Sequence, residues 1–147
     1  MNDQTPRCDA IVIGAGDLGA DAIVRIARDN APVSVADEAI ARLIAARSAI
    51  DQALARDETV YGLTTGLGAA VDTRLKPSDI DAFQQRAVRA RAVGVGDFFS
   101  AEETRATLAA RLVGLARGAS GASPAFVPAI EAMLNRGVHP RIRRIGS

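Results

Sequence analysis

The 147-residue sequence has no tryptophan, one tyrosine, one cysteine and one histidine, and aromatics make up only 3% of it. Each shortage excludes something. A single cysteine, Cys8, forms no disulfide within the chain, so a buried core must hold the fold, and the chain is long enough to supply one. The single histidine, His139, has no cysteine, aspartate or glutamate at ligand spacing; it gives no metal site and reads as a loop residue before Pro140. No apolar run approaches the roughly 20 residues that cross a bilayer, and the N-terminus lacks a charged-then-apolar secretion pattern. A cytoplasmic protein with no membrane partner is expected. Charge of one sign is also lacking: 18 lysines and arginines against 17 aspartates and glutamates leave +1, too little for a field that grips nucleic acid. The basic tail with Arg141, Arg143 and Arg144 has no interleaved aromatics and is no nucleic-acid motif.

What the sequence does have is small aliphatic residues, with hydrophobics at 48%. Alanine-rich segments with apolar residues at three- and four-residue steps predict a mainly α fold, with a short β element near residues 9–35. A short apolar run over 9–13 ends at Gly14, and a helix is expected over 19–29. "VSV" (33–35) is a second short strand, and a long helix follows over 36–56 with Asp37 and Glu38 in its first turn. Residues 57–76, rich in glycine and threonine, break the pattern and read as an ordered loop. Helices resume over 77–93, over 101–117 behind a capping box of Ser100 and Glu103, and over 124–136, closed by Gly137. The tail "VHPRIRRIGS" is extended. No convincing strand follows residue 38, and there is no repeat and no linker.

Gly14, Gly16 and Gly19 stand at G-x-G-x-x-G spacing after the apolar run, and Asp37 or Glu38 lies near the offset of a ribose-binding acid. A doubly wound sheet needs strands recurring between helices, however, and this chain does not supply them. The glycines therefore read as a tight turn from strand to helix, and no NAD is expected.

The stretch "VYGLTTGLG" (60–68) resembles the signature Y-G-x-[NT]-T-G-F-G of the histidine and aromatic amino-acid ammonia-lyases and their aminomutase relatives. "RAVGVG" (91–96), "ARLVGLARGASGAS" (110–123) and "AIEAMLNRGVHPRIRRIGS" (129–147) follow in that family's order and spacing, so the resemblance covers nearly the whole chain. It implies the N-terminal part of the helical ammonia-lyase fold, with residues 1–147 an N-terminal segment of the catalytic domain. It also implies the electrophile 4-methylideneimidazole-5-one, made from an Ala-Ser-Gly expected just beyond Ser147. Ala119-Ser120-Gly121 is itself such a triad, but it lacks the family's flanking residues and reads as a packing or turn element.

The implied reaction eliminates ammonia from an α-amino acid, the small-molecule partner, with Tyr61 as the base. An ordinary phenol ionises near about pH 10, so a tyrosine used this way must sit beside hydrogen-bond donors or positive charge. Gly62, Gly66 and Gly68 let backbone N–H groups approach closely, and Thr64 and Thr65 offer hydroxyls. Without the resemblance, a lone tyrosine among glycines reads as an anchoring aromatic. Gly68, Leu67, Ala90 and Arg91 are the implied substrate-binding positions. Leu67 departs from the family's phenylalanine, and Ala90 and Arg91 replace the residues that select the substrate side chain. Arg91 either pairs with an acidic or hydroxylated side chain or is a solvated residue on a face with Arg86 and Arg89. The resemblance further implies a homotetramer with shared active sites, the tail arginines making subunit or interdomain contacts. A 2,3-aminomutase uses the same residues; a non-catalytic fragment or pseudoenzyme is the reading from another class.

Overall fold

The computed structural model describes residues 10–146. Cys8, Asp9 at the head of the predicted apolar run, and Ser147 with the electrophile expected after it lie outside the described residues. The order is β1 (Ile11–Ile13), α1 (Ala20–Arg28), β2 (Val33–Val35), α2 (Asp37–Ala55), α3 (Ile80–Ala90), β3 (Val95–Phe98), α4 (Ala101–Ala116), α5 (Phe126–Asn135) and β4 (Arg143–Ile145), with 3-10 turns at Gly68–Ala70 and Pro77–Asp79. The fold is mainly α with a short β element at its start, as the sequence predicts. The chain divides into two compact units, Met1–Arg47 with Phe98–Ile142, and Ser48–Asp97 with Arg143–Ser147.

The first unit is built on a parallel pair of strands in which Ile11, Val12 and Ile13 face Val33, Ser34 and Val35. The strand alternation sends Ile11 and Ile13 inward and leaves Val12 46% exposed. α1 connects the two strands and packs on α4, which packs in turn on α5. Ile13, Ile26, Leu43, Leu112 and Val127 form the fully buried centre of the core. The capping box that starts α4 is present: Glu103 N–H donates to Ser100 Oγ at 3.2 Å and Ser100 N–H donates to Glu103 Oε2 at 2.8 Å.

Polar side chains finish what burial leaves open in this unit. Arg105 is only 2% exposed and donates at 2.8 Å to both Ile26 O and Leu134 O, carbonyls in the last turns of α1 and α5. Burial holds its guanidinium pKa below the ordinary value. Asn135 both accepts from Val33 N–H at 2.9 Å and donates to Val33 O at 2.8 Å, fastening α5 to β2. Arg42 donates to Gly14 O at 2.7 Å and to Ala116 O at 3.0 Å, closing the end of α4.

Gly14 is the fingerprint glycine that the fold requires. Its φ is +94°, and a Cβ there would stand 2.5 Å from Ala39 Cβ. Gly16 and Gly19 face open space. Among the described residues each sheet has two strands, so the glycines turn a short strand into a helix without a doubly wound sheet around them.

The second unit contains the last turns of α2, the loop 57–76, α3, most of β3, and β4. Two expectations need correction here. The helix predicted over 77–93 is a 3-10 turn at Pro77–Asp79 followed by α3, which ends at Ala90. Arg91 N–H turns back to Val88 O and Ala92 N–H to Arg89 O, tightening the last turn before the glycines of "VGVG". The statement that no strand follows residue 38 is also wrong: β3 and β4 form a two-stranded sheet. Neither shows an inside and an outside, since every residue of β4 and Val95, Gly96 and Asp97 of β3 are exposed; the alternation that betrays a half-buried strand is missing. Glycine makes the pairing possible, because a Cβ at Gly94 would lie 2.8 Å from Arg143 Cβ. Among the described residues no helix is long and apolar enough to cross a membrane.

Candidate functional site

The loop 57–76 has a defined internal frame. Thr64 and Thr65 are buried, at 4% and 3% exposure. Thr64 Oγ1 accepts from Val60 N–H at 2.7 Å and donates to Glu58 O at 2.9 Å; Thr65 Oγ1 accepts from Gly62 N–H at 3.2 Å and donates to Gly66 O at 3.1 Å. Both hydroxyls are thus used on the loop's own backbone. Leu75 N–H donates to Thr64 O at 2.8 Å and Gly66 N–H to Thr73 O at 3.0 Å, with Thr65 and Arg74 in an antiparallel bridge that folds the loop on itself. Arg74 ties down the loop's first residue by pairing with Asp57 Oδ1 at 2.6 Å.

Tyr61 stands on the outside of this frame, 63% exposed. Its Oη accepts from Gly68 N–H at 3.5 Å, a long hydrogen bond to the first residue of the 3-10 turn. Gly62 and Gly68 both have positive φ, +70° and +58°. A Cβ at Gly62 would come within 2.8 Å of Leu67 Cδ2, so the bend beside the tyrosine is closed by that leucine. Gly66 is held tightly too: a Cβ there would lie 2.5 Å from Ala70 O. The loop therefore offers the phenol oxygen one backbone donor on a turn that glycine alone adopts without strain.

Leu67, Ala90 and Arg91, named separately from the sequence, line one open groove of about 320 Å³ together with Ala70, Phe83 and Arg86. Its floor is apolar and its rim carries two guanidinium groups. Arg91 is exposed at the end of α3 and donates from Nη1 to Ala87 O at 2.8 Å, so its side chain lies back along its own helix while bordering the groove. The sequence marks Arg86 only as part of a solvated arginine face and gives no role to Phe83. The signal was available, since 83, 86, 87 and 90 form a stripe along one helix face. Gln84 carried no sequence signal at all; its amide reaches out of α3 to donate to Gly62 O at 2.7 Å.

Ala119-Ser120-Gly121 occupies the turn between α4 and α5 in the first unit, with Ala119 and Ser120 exposed and Ser120 Oγ accepting from Ala122 N–H at 3.3 Å. His139 Nε2 lies 3.4 Å from Arg105 Nη1, a packing position against the buried guanidinium. No group of metal-ligating side chains occurs among the described residues. The tail arginines have partners within the chain: the Arg141 guanidinium stacks 3.8 Å above the Phe98 ring, and Arg143 Nη1 donates to Gly96 O at 2.6 Å.

The model of a family described as aromatic amino acid lyase matches residues 18–147. A protein of Halobacterium salinarum named "Probable histidine ammonia-lyase" is 37% identical over 139 residues, covering 95% of this chain and 26% of that protein. The chain thus spans about a quarter of the length of the curated relatives it matches. Among solved structures, the tyrosine aminomutase of Streptomyces globisporus superposes with a TM-score of 0.88 at 33% identity, over 94% of this chain and 26% of that one. Ergothionase from Treponema denticola superposes with a TM-score of 0.89 at 27% identity, over 95% and 28%.

Proposed function

This chain belongs to the aromatic amino acid lyase family, and from that premise we propose that it carries the base and part of the substrate groove for eliminating ammonia from an α-amino acid of the histidine or aromatic class. Tyr61 is the base. Its oxygen takes the proton from the carbon next to the one that bears nitrogen, the C–H electron pair becomes the second bond of the alkene, and the C–N bond breaks to release ammonia. Gly68 N–H, within reach of the phenol oxygen, stabilises the charge that develops there when the tyrosine is ionised. Leu67 and Ala90 shape the apolar part of the groove and Arg91 its charged border. Gly62, Gly66, Thr64 and Thr65 hold the loop in register.

The family's protein-derived electrophile, 4-methylideneimidazole-5-one, activates the amino group for departure. On this reading its Ala-Ser-Gly precursor lies beyond Ser147. The Ala-Ser-Gly at 119–121 is a turn between α4 and α5 without the family's flanking residues. A homotetramer with shared active sites is the assembly this reading implies, supported by the uncovered apolar side chains of the second unit: Val88 is 72% exposed and Ile145 63%.

The observation that carries the proposal is the tyrosine turn itself, "YGLTTGLG", folded as a frame that leaves Tyr61 outside and its oxygen on a backbone donor. Tyr61→Phe removes the proton acceptor and keeps the ring. In the complete protein, since the 147-residue segment alone is expected to be inactive, turnover followed by ammonia release is expected to fall by about 10²- to 10⁴-fold, with far-ultraviolet circular dichroism unchanged; retained turnover overturns the assignment. A second reading, a 2,3-aminomutase, is favoured by the likeness to tyrosine aminomutase. Product analysis separates the two, since a lyase releases the alkenoate and a mutase releases the β-amino acid.

A further inference from the structure

The bonds that frame the tyrosine loop are of two kinds. Those made by Thr64 and Thr65 join residues of the loop to one another and fix its internal shape. The bond from Gln84 Nε2 to Gly62 O, at 2.7 Å, joins residues 22 positions apart and ties the loop to α3. The acceptor belongs to the residue that follows Tyr61, a glycine at φ +70°, whose backbone is costly to fix in one conformation without an outside hold. The donor is a half-buried side chain next in sequence to Phe83 on the helix whose Phe83, Ala90 and Arg91 line the groove. This hydrogen bond links the tyrosine turn directly to the helix that lines the groove.

We propose that Gln84 is a positioning residue for Tyr61: its amide, by holding Gly62 O, fixes the phenol against the groove on α3. The inference rests on the reading of Tyr61 as the base for its catalytic consequence, and on the geometry alone for its structural one.

The composition supplies a clean probe. The chain has no tryptophan and Tyr61 is its only tyrosine, so emission excited at wavelengths that its four phenylalanines do not absorb reports Tyr61 alone. Gln84→Ala deletes the donor; Gln84→Glu keeps the shape and replaces the donor with a carboxylate oxygen that only accepts. Near neutral pH both variants are expected to about double the fast-decaying share of Tyr61 emission anisotropy, with circular dichroism unchanged. On acidification below the ordinary glutamic-acid pKa of about 4.3, the Gln84→Glu carboxyl regains a proton to donate, and the wild-type signal at that pH returns. The Gln84→Ala signal does not return.

Where turnover is measured, kcat is expected to fall about tenfold or more in both variants near neutral pH while KM stays within about twofold. Unchanged anisotropy in both variants, or a Gln84→Glu variant that stays mobile in acid, overturns the proposal. Should Gln84→Glu fail to fold, Gln84→Ala carries the test, because it adds no charge and alanine favours the helix. The two readings fail separately: Tyr61→Phe that retains turnover ends the base assignment and leaves the tether, whereas unchanged emission in the Gln84 variants ends the tether and leaves the base.

Discussion

The two units are held together by different physics. In the first, Ile13, Ile26, Leu43, Leu112 and Val127 are almost wholly out of water and form one continuous core with their neighbours. In the second, among the described residues, only Ala53, Thr64, Thr65 and Gly66 are buried, and no residue of α3 is. The first unit is stabilised by apolar surface removed from water, the second largely by hydrogen bonds within one loop and from that loop to one helix. The loop bearing Tyr61 thus sits in the less buried unit, where local opening is easiest and where loops that rearrange around ligands are commonly found.

The largest effect that would sharpen this comparison is at Leu112. Leu112→Ala is expected to cost about 2–5 kcal/mol in denaturant unfolding, because a fully buried side chain leaves a cavity; a cost under about 1 kcal/mol would mean that the first unit is not the stability-bearing one. At Gly62 a smaller and local effect is expected. Gly62→Ala forces a side chain into φ +70° and against Leu67, and should lower the opening free energy of the loop amides by about 1–2 kcal/mol in hydrogen exchange while leaving the protection of α4 unchanged. The smallest effect is at Val88, 72% exposed, where Val88→Ser should stay within about 0.5 kcal/mol in the unassembled chain. A large loss there would break the comparison, since it would show that α3 buries this valine.

Legibility in the sequence followed the same division. The helices of the first unit announce themselves through apolar spacing, and the start of α4 through Ser100 and Glu103, because in that unit the pattern of apolar residues is the pattern of burial. The strands β3 and β4 left no such trace: their pairing depends on backbone approach at Gly94 and Gly146, and exposed strands need not alternate. The tyrosine loop was legible as a motif, but its mechanics were not. That the threonine hydroxyls are used on the loop's own backbone, and that the loop is tied from Gln84 22 positions away, are facts of the folded geometry that spacing does not encode. Leu67, Ala90 and Arg91 are legible as substrate-binding positions through the resemblance, whereas the groove that joins them also needs Phe83, which carries no motif, and Arg86, which reads only as part of a solvated face.

The small parallel sheet has one more consequence. Among the described residues β2 has β1 as its only strand neighbour, and on the side turned away from it the Asn135 amide satisfies both the N–H and the C=O of Val33. One side chain thus imitates one residue of a third strand. An open sheet edge is a template on which another molecule's extended segment can add, the first step of strand-mediated aggregation. With its amide in place, Asn135 withdraws both of Val33's edge groups from that template, leaving one fewer residue of β2 on which a foreign strand can add.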